Sequence, residues 1–93
     1  MIVGVPREIK NHEYRIGLTP AGVREFVEQG HEVLVEHDGG LAIGFDNALY
    51  EAAGAQMVAG AEEIFERAQM IIKVKEPQPE ECRLLRPGQI LFT

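Results

Sequence analysis

The stretch Thr19-Pro-Ala-Gly-Val-Arg-Glu-Phe-Val-Glu-Gln-Gly-His-Glu-Val-Leu-Val35 decides the fold, because it sets a complete helix directly before a strand. Thr19 has a side-chain oxygen for a free amide of the first turn. Pro20 follows at the first helical position, where its missing N–H would have had no partner. Val23, Phe26 and Val27 recur at helical spacing, and Gly30 ends the helix in the left-handed conformation that glycine adopts at little cost. His31 and Glu32 then lead into Val33-Leu-Val35, a short apolar strand flanked by charge.

The same alternation extends outward on both sides. Upstream, Met1-Ile-Val-Gly-Val5 is an apolar run closed by Pro6, which lacks a backbone donor and so punctuates a strand. Downstream, Gly39-Gly40 marks a turn, Asp46 caps a helix over 47–53 stopped by Gly54, and Gln56-Met-Val58 reads as a third strand. Residues 61–68 form a third helix with Ile64 and Phe65 on one face, and Met70-Ile-Ile-Lys-Val74 a fourth strand. Pro79-Glu-Glu81 opens a short helix whose carboxylates suit its N-terminus and whose end suits Arg83 and Arg86; Gln89-Ile-Leu-Phe-Thr93 is a fifth strand. Strands alternating with helices predict an α/β fold, an open parallel sheet of about five strands with helices on both faces, Rossmann-like or flavodoxin-like. The second strand is expected beside the first, the fourth and fifth on the first strand's other side, and the third at an edge.

Ninety-three residues hold one modest core, too little for a substrate domain and a cofactor domain together. The formal net charge of −6 argues against nucleic acid or an anionic membrane surface as partner. The single cysteine, Cys82, stands beside Glu80 and Glu81 and reads as an unreactive reduced thiol. His12, His31 and His37 are scattered, with no helical i, i+4 pair, so no metal site is expected. No apolar run approaches the ~18 residues of a membrane span, and Met1 leads straight into a strand rather than a basic leader, so a cytoplasmic location is expected.

Ligands of open parallel sheets bind beyond the carboxyl ends of the strands. After the first strand comes a long polar loop, 6–18, with Arg15; after the fourth come Lys73 and Lys75, two residues apart and so facing alike on an extended chain. An arginine fork can clamp a carboxylate and a lysine ammonium can polarise a carbonyl, so this set suits a small keto acid. The plainer alternative pairs Arg15 with Glu13 and Lys73 with Glu76 as surface ion pairs, each worth under about 1 kcal/mol. A dinucleotide fingerprint is missing: residues 6–13 contain no glycine, and Gly39-Gly-Leu-Ala-Ile-Gly44 has the wrong spacing.

Longer motifs carry a resemblance. Gly4-Val-Pro-Arg-Glu-Ile-Lys-Asn-His-Glu-Tyr-Arg15, Leu18-Thr-Pro-Ala-Gly-Val23, Gly30-His-Glu-Val33, Ala53-Gly-Ala55, Lys73-Val-Lys-Glu-Pro77 and Gly88-Gln-Ile-Leu-Phe-Thr93 resemble the amino-terminal part of the alanine dehydrogenases across essentially the whole chain. They are partly shared with the NAD(H)-binding component of nicotinamide nucleotide transhydrogenase. Lys75 favours the dehydrogenases, because transhydrogenases typically carry asparagine in that place.

The resemblance implies NAD-dependent oxidative deamination of L-alanine to pyruvate and ammonia, with Arg15 and Lys75 gripping the carboxylate and carbonyl of the substrate. It also implies that residues 1–93 are the amino-terminal part of a substrate domain and inactive alone. The acid-base histidine and aspartate, and the domain that binds NAD, are expected downstream; the intact enzyme is expected to be a homo-oligomer. Two alternatives stand beside it: the amino-terminal part of the transhydrogenase component, and a standalone flavodoxin-like binding module.

Overall fold

The computed structural model describes residues 1–93. Its centre is β1 (Ile2–Val5), which pairs in parallel with β2 (Glu32–Glu36) through Ile2 to Glu32 and Val5 to Val35, and on its other side with β4 (Met70–Ile72) through Val3 to Met70 and Gly4 to Ile71. β3 (Gln56–Val58) extends the sheet beyond β2 and β5 (Ile90–Phe92) beyond β4, all in parallel, in the order β3-β2-β1-β4-β5. This is the order expected from the sequence, and of the two common doubly wound arrangements it is the Rossmann one. The chain reverses its direction of winding between β1 and β4, and that reversal places the crevice.

Side-chain alternation sorts the strand residues into two cores. Val3, Val5, Val33, Val35 and Ile72 meet Val23 of α1 (Pro20–Glu28) and Tyr50 of α2 (Asn47–Ala52) on one face. Leu34, Val58 and Ile71 meet Ile64 and Phe65 of α3 (Ala61–Arg67) on the other, with Leu84 and Leu85, which follow α4 (Pro79–Cys82), packed alongside. Each such side chain contributes roughly 1.5–3 kcal/mol on full burial, so the continuous run Val33-Leu34-Val35 serves both faces at once. Gly4 is required by α3: a Cβ there would lie 2.6 Å from Ile64 Cγ2 and 2.7 Å from the Ala68 Cβ.

The caps form as the sequence predicts. Thr19 Oγ1 accepts from the Gly22 N–H at 3.2 Å, and Asp46 Oδ1 from the Leu49 N–H at 3.0 Å. Arg86 is a correction. Instead of serving the end of α4, its Nε and Nη2 donate to the carbonyls of Phe65 and Ala68, each at 3.0 Å, satisfying the C-terminal end of α3. Glu81 also does more than favour a helix start: Oε1 accepts the Gln78 N–H at 2.9 Å while the buried carboxylate turns inward.

Candidate functional site

The carboxyl ends of β1 and β4 are neighbours at the winding reversal, so the long loop 6–18 and the segment 73–77 rise side by side. The loop is anchored at both ends and open in the middle. Pro6 and Ile16 are buried in the core, and the Tyr50 hydroxyl donates to the Leu18 carbonyl at 2.9 Å. Burial pushes the Tyr50 hydroxyl up to about 12, so it stays a donor throughout the physiological range. Between these anchors Ile9, Asn11, His12, Tyr14 and Arg15 are exposed, and His12 takes a left-handed φ of 63° in the turn closed by the Glu13 N–H on the Lys10 carbonyl.

Three contacts join the loop to the 73–77 segment. Gly17 lies against the end of β4 so closely that a Cβ would sit 2.6 Å from the Ile72 carbonyl oxygen and 3.1 Å from the Lys73 nitrogen. Lys10 Nζ pairs with Glu76 at 2.8 Å, holding that carboxyl below its ordinary range. Glu8, buried, accepts from Lys73 Nζ at 3.0 Å, from the Val74 N–H at 3.0 Å and from the Lys75 N–H at 3.2 Å.

Arg15 and Glu13 form a two-pronged pair, Nε to Oε2 at 3.0 Å and Nη2 to Oε1 at 2.9 Å, and the Arg15 N–H also donates to Oε2 at 2.9 Å. Those bonds hold the Glu13 carboxyl well down, at about 2, with the charge of Lys75 adding a smaller pull. The Arg15 side chain remains 63% exposed. Lys75 is half-buried and outside any ion pair.

Lys73 is placed differently. The expectation that it faces the same way as Lys75 fails because β4 ends at Ile72, before alternation can carry through 73–75. Its side chain is 1% exposed and lies 3.0 Å from both Glu8 Oε1 and Glu81 Oε2. The Glu81 contact has the distance of an ion pair but not the angle of a hydrogen bond, leaving Oε2 otherwise unpartnered. The expected pair of Lys73 with Glu76 is therefore replaced by Lys10 with Glu76, whereas the pair of Arg15 with Glu13 forms. Glu8 is the residue that sequence reasoning missed. It sits in a polar loop among exposed charges, and only the adjacency of β1 and β4 buries it.

An open cleft of about 540 Å³ lies on the β2 side of the loop, with Tyr14 and Arg15 on one wall and Asp38, Gly39 and Leu41 on the other. Asp38 is fixed there by Asn47, whose side chain accepts from its N–H at 2.8 Å and donates to its carboxylate at 2.9 Å. Above β2, the Glu36 carboxyl is raised by burial while accepting the Arg7 N–H at 2.9 Å. Lys75 does not line this cleft. No group of His, Cys, Asp and Glu converges as a metal site, and no helix is long and apolar enough to cross a membrane.

Comparison with known proteins agrees with this architecture. The family model described as alanine dehydrogenase/PNT, N-terminal domain, matches residues 4–93. The alanine dehydrogenase of Bacillus subtilis (strain 168) is 52% identical over all 93 residues, which make up 24% of its length. A solved L-alanine dehydrogenase superposes with a TM-score of 0.94 at 47% identity, covering 98% of this chain and 25% of that one. The transhydrogenase from Sinorhizobium meliloti gives 0.91 at 27% identity, covering 98% and 26%. The chain spans about a quarter of the length of the relatives it matches. With a family match over nearly every residue and the same doubly wound sheet, this chain belongs to the alanine dehydrogenase/PNT N-terminal domain family.

Proposed function

We propose that this chain provides the keto-acid grip of an NAD-dependent alanine dehydrogenase, which converts L-alanine reversibly to pyruvate and ammonia. The observation that supports the reading is the Arg15 guanidinium, held in a two-pronged pair with Glu13 on the loop after β1, with Lys75 outside any ion pair on the segment after the adjacent β4. Glu13 occupies the fork that a substrate carboxylate would take or share, with parallel N–H···O bonds of the kind arginine makes to carboxylates. Lys75, a compact charge, would lie toward the adjacent carbonyl oxygen and favour the electron density that gathers there when the carbonyl carbon is attacked. The turn after β1 has no glycine from Pro6 to Arg15, so these residues form no pyrophosphate cradle. The part proposed for this chain is to bind and orient the substrate, with NAD held by other parts of the whole protein. The same reading makes that protein a cytoplasmic homo-oligomer.

The test is pyruvate-dependent NADH oxidation by the whole protein. Arg15→Ala and Lys75→Ala should each lower kcat/KM for pyruvate by about 10² or more, the scale of losing one partner of a charged hydrogen-bonded pair, with NADH binding retained. Near-normal turnover in either variant overturns the assignment. The fold is shared with the transhydrogenase of Sinorhizobium meliloti; hydride transfer between nicotinamides without any keto-acid dependence would favour that second reading.

A further inference from the structure

Glu8 has no part in gripping substrate, yet its surroundings are those of a group held in place for a purpose. A buried carboxylate is costly unless fully paired, and a well-packed apolar pair often serves stability as well or better. The Glu8 side chain is 1% exposed, and all three of its hydrogen bonds go to Lys73, Val74 and Lys75. The last sheet bond of this segment is the Lys73 N–H on the Phe92 carbonyl, at 2.9 Å. Beyond it the consecutive amides of Val74 and Lys75 have no strand partner, and the two Glu8 oxygens accept them instead. Lys73 supplies the counter-charge that makes a buried carboxylate tolerable, and the Glu81 carboxylate shares that ammonium.

We infer that Glu8 is a positioning residue for substrate binding: by holding the backbone of Val74 and Lys75 it sets where the Lys75 ammonium stands relative to Arg15. The inference rests on the reading of Lys75 as a substrate-binding residue. Glu8 belongs to the same loop as Arg15, so one side chain ties the two cation-bearing segments together. A displacement of about 1 Å in a binding group can cost on the order of 10²-fold in rate, so this tether should be visible in kinetics.

The experiment separates positioning from folding in the whole protein. Glu8→Gln leaves Lys73 paired with Glu81 but points an amide donor at a backbone donor, so it should lower stability while the protein still folds. In that variant the KM for pyruvate should rise about tenfold or more with the KM for NADH unchanged. Combining it with Lys75→Ala should lower kcat/KM no further than Lys75→Ala alone, because Glu8 acts through Lys75. Glu8→Asp, which keeps the charge but is shorter by one methylene, should fold and still raise the KM for pyruvate, and it serves if Glu8→Gln does not fold. A wild-type KM for pyruvate in folded Glu8→Gln or in Glu8→Asp, or effects that multiply with Lys75→Ala, would overturn the inference. If Lys75→Ala by itself leaves pyruvate turnover intact, the site reading fails and the inference with it; if Lys75→Ala is damaging and the Glu8 variants are silent, only the inference fails.

Discussion

Gly17→Ala tests how the site is held together. A Cβ at Gly17 would stand 2.6 Å from the Ile72 oxygen, 2.9 Å from the Ile72 carbonyl carbon and 3.1 Å from the Lys73 nitrogen. Ordinary contacts begin near 3.4 Å, so the two backbones must separate by the better part of an ångström. The obstructing atoms belong to the end of a strand and cannot rotate away, so the loop moves. Overpacking of this kind costs typically 1–3 kcal/mol, and the same shift carries Arg15, two residues earlier, away from Lys75. Stability should therefore fall by that amount in denaturant titration, and the KM for pyruvate should rise about tenfold in NADH oxidation with the KM for NADH unchanged. Gly4→Ala is the control. Its Cβ would meet α3 at 2.6 and 2.7 Å, on the opposite side of β1 from the first core, so it should cost similar stability without touching the pyruvate KM. Wild-type stability and kinetics in Gly17→Ala, or an equal change of the pyruvate KM in both glycine variants, would refute this coupling.

Two further outcomes follow from the same contacts. The Glu13 carboxyl should titrate near pH 2 by carboxyl-carbon NMR, since Arg15 bonds its ionised form. A folded value lowered from 4.5 means that the stabilisation from this pair is fully present above about pH 4.5 and is lost as pH falls toward 2; Arg15→Ala should return the titration toward 4.5. Tyr50→Phe removes the donor to the Leu18 carbonyl and should cost about 1–2 kcal/mol in denaturant titration. With the Tyr50 hydroxyl raised from 10.0 to about 12, the wild-type protein should lose stability as pH rises through that interval, and the variant should lack this component.

Much of the fold could be read from local chemistry. Thr19-Pro20 and Asp46 mark helix starts, Gly30 and Gly54 take positive φ at helix ends, and the apolar triplets mark strands; each signal is complete within a few residues. Arg15 and Lys75 stand out as candidates because a parallel sheet gathers the residues that follow its strands. The motif string carried the family, and residues 4–93 match its model.

What sequence could not supply was the difference between Lys73 and Lys75. Two residues apart, they look alike, and alternation predicts that they share a side. Tertiary structure ends β4 at Ile72 and sets β1 beside it, so that Glu8 from one loop and Glu81 from α4 enclose Lys73 while Lys75 stays half-buried and outside any ion pair. Burial of a charge depends on which distant groups arrive to desolvate and pair with it. The partners of Lys73 come from 65 residues before it and from a helix after it. Residue type and spacing therefore determined the elements, their order and the two cations of the proposed site. Only the packing of those elements decided which lysine is buried between two carboxylates and which is left outside any ion pair.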